Sequence, residues 1–470
     1  MDNNRDKYLI KNTIIFTLGN LGSKLISFFL VPLYTNELTA GEYGVVDLIA
    51  TVGTVAVPIL TLNICEAVMR FALDENADKA KITKIGTRIL LIGIFLGFVL
   101  LPTCYSFDKI SEYSLYIYFY VVSSAASQLY LYDLRGKEFL IFYSAGNVLH
   151  TFLIALLNVT FLLVFKLGIV GYLLAYIFAN TFTALYALIV GKGYRSFFPS
   201  HIDVALFRKM VKYSIVLVPN SFMWWIMNSS DRIMVSSMVG MAANGIYAIS
   251  YRLPTLISTL TAIFNQAWSY SAIHEEGTRD EGEYNNKVFK SLTGIVMFLG
   301  ICLLTFAKPF LKFYVAEEYY DAWKYIPFLT VGCVYLTLST FIGTSYTVHK
   351  DSFGYLFSGI FGAIFNILMN FLLIPVVSVY GAALSTCVSY ILVFAFRLFH
   401  TRKYIKYNII NRYFFIGTSI LFLSAITMYY NTLKGFLLQC ILFILAFWLF
   451  RHTLSELIRA VMLNTIFKRK

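Results

Sequence analysis

The sequence predicts an all-α membrane protein with about fourteen transmembrane helices, and three observations predict it. Of the 470 residues, 59% are hydrophobic and only 13% are charged, whereas a soluble chain is nearer a quarter charged. Apolar runs of roughly 20 residues, the length that crosses the hydrocarbon, recur from one end of the chain to the other. Lys and Arg alternate between rich and poor loops, as the positive-inside bias requires.

The runs lie near 10–33, 44–65, 86–107, 114–134, 144–165, 169–191, 211–230, 245–268, 288–307, 325–346, 355–375, 380–400, 413–430 and 435–450. The last two are the shortest. The polar start, Met1 to Lys11, leads into a run too long for a signal-peptide core, with no small-residue cleavage site after it, so it reads as a retained first span. With the N-terminus inside, the inner segments and their flanks hold 29 of the 38 Lys and Arg residues, and the outer loops hold 7. Lys24 and Arg252 fall within spans. This split predicts N-in, C-in topology.

The same split accounts for the net charge of +13: the basic residues mark inner loops, and no nucleic-acid partner is expected. The cysteines (Cys65, Cys104, Cys302, Cys333, Cys387, Cys440) sit in or beside apolar runs without CxxC or zinc spacing, so they read as small buried residues and no metal is expected. The loops are too short for a soluble domain. No GxxxxGKS phosphate cradle occurs, so no nucleotide or other cofactor is expected, and the chain does not read as an enzyme.

Two segments recur. Residues 36–48, leading from span 1 into span 2, resemble 237–249, leading from span 7 into span 8, and match Gly44 to Gly245. The stretch from Asn158 to Tyr172 resembles that from Asn370 to Ala382 and matches Gly171 to Gly381. Six spans separate the copies, so the repeats are parallel, about an axis along the membrane normal. Transporters built this way carry substrate between rocking halves. The expected domains are an N-terminal lobe over 1–200 (spans 1–6), a C-terminal lobe over 201–405 (spans 7–12), and a further pair of spans over 406–470.

Ionisable residues inside spans are costly and usually face a cavity. Lys24 lies ~21 Å from the inner end of span 1, beyond the reach of a snorkelling side chain. Thr13, Thr17, Asn20, Lys24 and Ser27 share one helical face. Span 2 carries Asp47, Thr51, Thr54, Pro58 and Thr61. Span 7 carries Asn220, Trp224, Asn228 and Asp231, and span 8 carries Arg252, Thr255, Thr259 and Gln266. Arg252 is placed ~10 Å below the outer end of its span. Asp47 reads either as a counter-ion to Lys24 or Arg252 or as an interfacial acid. Glu66 and Arg70 are spaced to pair at i, i+4. His150 reads as structural before it reads as a proton relay, and the tyrosines at 105–120 read as an interfacial belt. Cations with few buried acids suit an anionic substrate.

The opening run, Thr17-Leu-Gly-Asn20…Lys24…Phe28-Phe-Leu-Val-Pro32-Leu-Tyr34, continues to Leu38-Thr-Ala-Gly-Glu-Tyr-Gly44. It resembles the start of polysaccharide repeat-unit flippases, the Wzx-type members of the multidrug/oligosaccharidyl-lipid/polysaccharide (MOP) superfamily. The elements around Gly168–Gly171 and Tyr380–Ala383 are similar to that family's repeat. The resemblance covers spans 1–12, with spans 13 and 14 like the extra pair of some members. It implies two six-helix lobes opening alternately to each face of a bacterial cytoplasmic membrane. It also implies a flippase that moves undecaprenyl-diphosphate-linked oligosaccharide to the outer leaflet for O-antigen, lipopolysaccharide or capsule synthesis.

Related lipid II flippases use cations in the first span and around the eighth, a role carried here to Lys24 and Arg252. The expected substrate-binding set is Lys24, Arg252, Asn20, Thr51, Asn220, Trp224, Asn228 and Thr255, with Asp47 and Glu66 as carriers for a coupling ion, H+ or Na+. Membrane lipid and polysaccharide assembly proteins are the other expected partners. The rival readings are an ion-coupled multidrug or cation antiporter of the same superfamily and a membrane-embedded glycan polymerase or ligase, which would need a sizeable catalytic outer loop.

Overall fold

The computed structural model describes residues 26–74, 77–104, 110–197, 203–408, 412–430 and 432–467, with no side chain given at 103–104, 220, 224, 263, 266–267, 270, 274, 457–458 or 460–467. Asn20 and Lys24 lie outside the described residues, with most of span 1. The described residues form helices joined by short turns, in two compact units. Unit 1 comprises 1–236 and 240–245, and unit 2 comprises 237–239 and 246–470.

In unit 1, α1 (Val31–Glu37) turns into α2 (Ala40–Leu60). The turn is built by a capping box: Thr39 Oγ1 accepts from the Glu42 amide while the Glu42 carboxylate accepts from the Thr39 amide, satisfying two orphan donors of the helix start. A turn at 61–63 separates α2 from α3 (Ile64–Ala72). Leu62 and Asn63 there have φ of 50° and 56°, a region Asn tolerates better than Leu. Next come α4 (Lys79–Cys104), α5 (Ser114–Gly136), α6 (Leu140–Asn158) and α7 (Gly168–Val190). A π-helical turn over Val159–Val164 extends α6. Helix α5 is central, packing against α2, α3, α4, α6 and α7. Unit 1 also takes in most of α8 (Val204–Met238) and the first half of α9 (Met241–Ser250).

In unit 2, α10 (Pro254–His274), α11 (Glu281–Tyr314), α12 (Ile326–Val348), α13 (Ser352–Val377) and α14 (Val379–His400) are followed by α15 (Arg412–Thr427) and α16 (Leu433–Phe467). Helix α12 is central, packing against α10, α11, α13, α14 and α15, while α16 lies on α11. Span 8, expected to be continuous over 245–268, is two helices. Pro254 begins α10 at its first turn, where its missing N–H costs nothing, but it cannot continue a helix from Ser250. Arg252 therefore sits in the turn between α9 and α10 rather than within a helix.

Among the described residues, nine helices are long and apolar enough to cross a membrane, and α15 is apolar but shorter. Helices α5, α8 and α10 occupy three further expected spans but fall outside that set, because their Ser, Tyr, Asn and Gln residues lower the mean hydropathy. The outer surfaces carry large exposed apolar side chains, among them Phe95, Phe165, Phe313, Phe371 and Trp448. Water would penalise so much apolar surface and lipid would not. The protein is thus a multi-pass membrane protein.

The expected domain boundary at 200 differs from the division between the units, which assigns 204–236 to unit 1. Within unit 1, α8 is tied to the α2–α3 segment by side-chain contacts.

Candidate functional site

Among the described residues, four contacts tie α8 to the α2–α3 segment, and their order is antiparallel. Arg232 Nη1 donates to Asp47 Oδ1 at 2.7 Å. Trp225 Nε1 donates to the Thr51 carbonyl at 2.9 Å. Asn63 Nδ2 donates to Ser221 Oγ at 3.2 Å, and the rings of Phe71 and Tyr213 meet edge to face at 5.8 Å. Ser221, Trp225 and Arg232 recur at i, i+4 and i+11, one face of a helix. This face is turned one position from the expected stripe of Asn220, Trp224, Asn228 and Asp231.

One end of the seam is the ion pair. The Asp47 side chain is 5% exposed and that of Arg232 is 23% exposed, so the attraction acts largely out of water and is far stronger than on a soluble surface. Asp231 is buried beside the pair, its carboxylate accepting from the Arg232 amide at 2.9 Å. Two acids and one guanidinium thus share this end of the seam. Protonating Asp47, or bringing an anion to Arg232, would weaken the tie between α2 and α8.

Three residues before Asp47, α2 approaches α9 at glycine. A Cβ built on Gly44 would lie 1.9 Å from the Met241 carbonyl oxygen, and one built on Gly245 would lie 2.0 Å from the Ala40 carbonyl oxygen. The Gly44 carbonyl accepts from Asn244 Nδ2 at 3.0 Å. The two contacts are reciprocal at one sequence offset: 40 meets 245 as 241 meets 44. The other matched pair also shares its local setting. Gly171 starts α7 against Phe161, and Gly381 starts α14 against Leu373, with contacts to an added Cβ of 3.1 Å and 2.6 Å from their carbonyl oxygens.

The expected site residues fare unevenly. Asp47 pairs with Arg232, which the sequence reading puts in an outer loop; α8 continues to Met238 and carries Arg232 inside the helix. Thr51 is buried and meets α8 through its carbonyl. Asn220 and Trp224 lie on α8, with no side-chain position described. Asn228 is exposed on α8. Thr255 is exposed in unit 2 and donates to the Arg252 carbonyl at 3.0 Å. Glu66 is half-buried on α3. Arg70 pairs at 2.7 Å with Asp74 rather than forming the expected pair with Glu66, one turn the other way on the same face. His150 Nε2 lies 2.9 Å from Asn180 Oδ1, a local bond between α6 and α7 that fits the structural reading. Among the described residues no His, Cys, Asp and Glu cluster could hold a metal ion.

Sequence reasoning missed Arg232 and Trp225. The available signal was the second helical face of α8, on which Arg232 lies seven residues beyond Trp225.

A family model described as polysaccharide biosynthesis protein matches residues 9–270, the stretch holding Lys24, Asp47, Arg232 and Arg252. No curated protein sequence matches. Among solved structures, lipid II flippase MurJ in an inward-closed conformation is 13% identical, with 96% of this chain and 100% of that one covered at a TM-score of 0.65. An inward-facing multidrug resistance MATE family transporter of the MOP superfamily is 14% identical, with 82% and 94% covered at 0.64. A MOP superfamily transporter from Pyrococcus furiosus, described as having a binding pocket of reversed polarity, is 15% identical, with 84% and 94% covered at 0.53. At these identities the likeness establishes the fold, that of MOP superfamily transporters.

Proposed function

The chain belongs to the polysaccharide biosynthesis protein family, and on that premise we propose that it is a flippase for undecaprenyl-diphosphate-linked oligosaccharide. It moves this lipid from the inner to the outer leaflet of a bacterial cytoplasmic membrane by alternating access, for O-antigen, lipopolysaccharide or capsule synthesis. The observation that carries the reading is the family match over 9–270, because it spans both the polar seam and the cations assigned to the substrate. The likeness to a lipid II flippase over 96% of the chain supports it. The proposal includes about fourteen spans, N-in and C-in topology and parallel repeats, which the reciprocal Gly44 and Gly245 contacts support.

Lys24 and Arg252 are the cations assigned to the diphosphate, and Asn20, Asn220, Trp224, Asn228 and Thr255 are assigned to the sugars. Thr51 stays in that set, its hydroxyl distinct from the carbonyl that Trp225 engages. Outward movement of a dianionic headgroup is favoured by an inside-negative potential, at about 2.3 kcal/mol per charge per 100 mV. A coupling ion, H+ or Na+, would act at Asp47, whose pair with Arg232 its binding would loosen. Glu66 is the second candidate carrier.

The test is the level of lipid-linked oligosaccharide in membranes of cells lacking the protein. Complete repeat units should accumulate on the inner leaflet, and the wild-type copy but not Lys24→Glu should clear them. Unchanged lipid-linked sugar would remove the flippase reading. The second reading, an ion-coupled multidrug antiporter, is favoured by the fold likeness to a multidrug resistance transporter; resistance to cationic dyes on expression would promote it. A glycan polymerase is less well supported, since the outer segment Glu317–Lys324 is a short 3-10 helix whose Asp321 pairs with Lys324 at 2.7 Å.

A further inference from the structure

Unit 2 contains a cleft of about 380 Å³ between α10 and α12, within the range of small-molecule sites, roughly 300–1,000 Å³. Its polar lining is Ser258, Thr261, Asn265 and Ser269 on α10, with Thr337 and Thr340 on α12. On α10 these recur at i, i+3, i+7 and i+11, one helical face. Thr261 and Thr337 are buried where the two helices meet, their hydroxyls 3.4 Å apart, and the remaining hydroxyls and Asn265 line the opening beside them.

The chemistry of the lining selects the ligand. Among the described residues no lining side chain is charged, so neither an ionic headgroup nor an organic cation finds a counter-charge among them. Four of the hydroxyl protons are already spent on backbone carbonyls: Thr261 on Ile257 at 2.8 Å, Thr337 on Cys333 at 2.9 Å, Thr340 on Leu336 at 2.8 Å and Ser269 on Asn265 at 2.9 Å, with the Thr261 and Thr337 hydroxyls 3.4 Å apart. Their oxygens keep lone pairs for a donor. Asn265 Oδ1 is buried without a hydrogen-bond partner, and a buried acceptor left unmet is costly. A cluster of neutral acceptors asks for a neutral molecule rich in O–H donors. We propose that the α10–α12 cleft is a saccharide subsite, holding an uncharged sugar of the lipid-linked oligosaccharide; this rests on the flippase reading above.

The experiment measures binding of two lipids to the purified full-length protein in nanodiscs. One is the undecaprenyl-diphosphate-linked oligosaccharide extracted from cells lacking the protein, and the other is undecaprenyl diphosphate without sugar. Asn265→Leu and, independently, Thr340→Val should each weaken binding of the oligosaccharide lipid by roughly fivefold to tenfold and leave the bare lipid unchanged. Thr340→Val keeps the side-chain shape and decides the matter if Asn265→Leu misfolds. Equal affinity of wild type and both variants for the oligosaccharide lipid overturns the subsite alone. A parallel loss for both lipids also overturns it, since that marks general damage. If the wild type binds neither lipid, the flippase reading falls and the subsite with it.

Discussion

Asp47 and Arg232 stand 185 residues apart in the chain and meet at 2.7 Å, joining α2 to α8. Removing one partner of a buried pair leaves a stranded charge, which costs about 3–5 kcal/mol when burial is complete. Arg232 is 23% exposed and Asp47 is 5% exposed, so the two single variants should differ. Arg232→Gln removes the cation from the more deeply buried carboxylate and should lower the unfolding temperature more than Asp47→Asn does. The double variant should recover part of the loss, because neither member of the pair is left charged opposite a neutral partner; the buried Asp231 is common to all four proteins. Thermal unfolding of the four proteins in detergent checks this. Strictly additive losses in the double variant would show that the pair is not an energetic unit.

The approach of Gly44 to Gly245 yields a sharper steric expectation. An added methyl at Gly44 would sit 1.9 Å from a carbonyl oxygen, and the equivalent methyl at Gly245 would sit 2.0 Å from another. Both neighbours are backbone, so no side chain can swing aside. Gly44→Ala and Gly245→Ala should each force the segments apart, lower the unfolding temperature and abolish surface glycan export. Gly41→Ala is the control: nothing lies within 4 Å of its added Cβ, and alanine is the better helix former by up to about 1 kcal/mol. It should export normally and melt no earlier than wild type. Wild-type melting of Gly44→Ala would sink the close-approach account.

The sequence made the fold class, the recurrence of helices and the matched glycines legible, because apolar length and repeated small residues are local signals. The polar stripes of spans 2, 7 and 8 were legible as composition. The partners within them were not, because partner choice depends on helix rotation and on where helices end. Arg232 illustrates the second point: a few more residues of helix beyond the apolar run turn a loop cation into the partner of Asp47. Asn265 illustrates the first: the expected stripe on span 8 ran through Thr255, Thr259 and Gln266, while the cleft face is one position around. Arg252 shows a third limit. Pro254 marked the helix break in the sequence, yet hydropathy alone ran the span straight through it.

The start of α13 offers a pH-dependent expectation. Asp351, outside the spanning segments, caps α13 by accepting from the Gly354 amide at 2.8 Å, and it also accepts from Lys403 at 2.9 Å and Tyr404 at 2.9 Å. The Gly354 amide first, and then Lys403, hold its carboxyl down from 3.8 to about 2. A carboxyl depressed in the folded state contributes stability that is full above its unfolded value and is lost as the folded value is passed on acidification. The window therefore runs from about pH 4 down to about pH 2. Asp351→Asn keeps an acceptor for the Gly354 amide but no charge for Lys403. The gap in unfolding temperature between wild type and Asp351→Asn should be constant from neutral pH to about 5 and then close as the pH falls through the window. A gap that widens on acidification would mean that the carboxylate is not held by these partners in the folded protein.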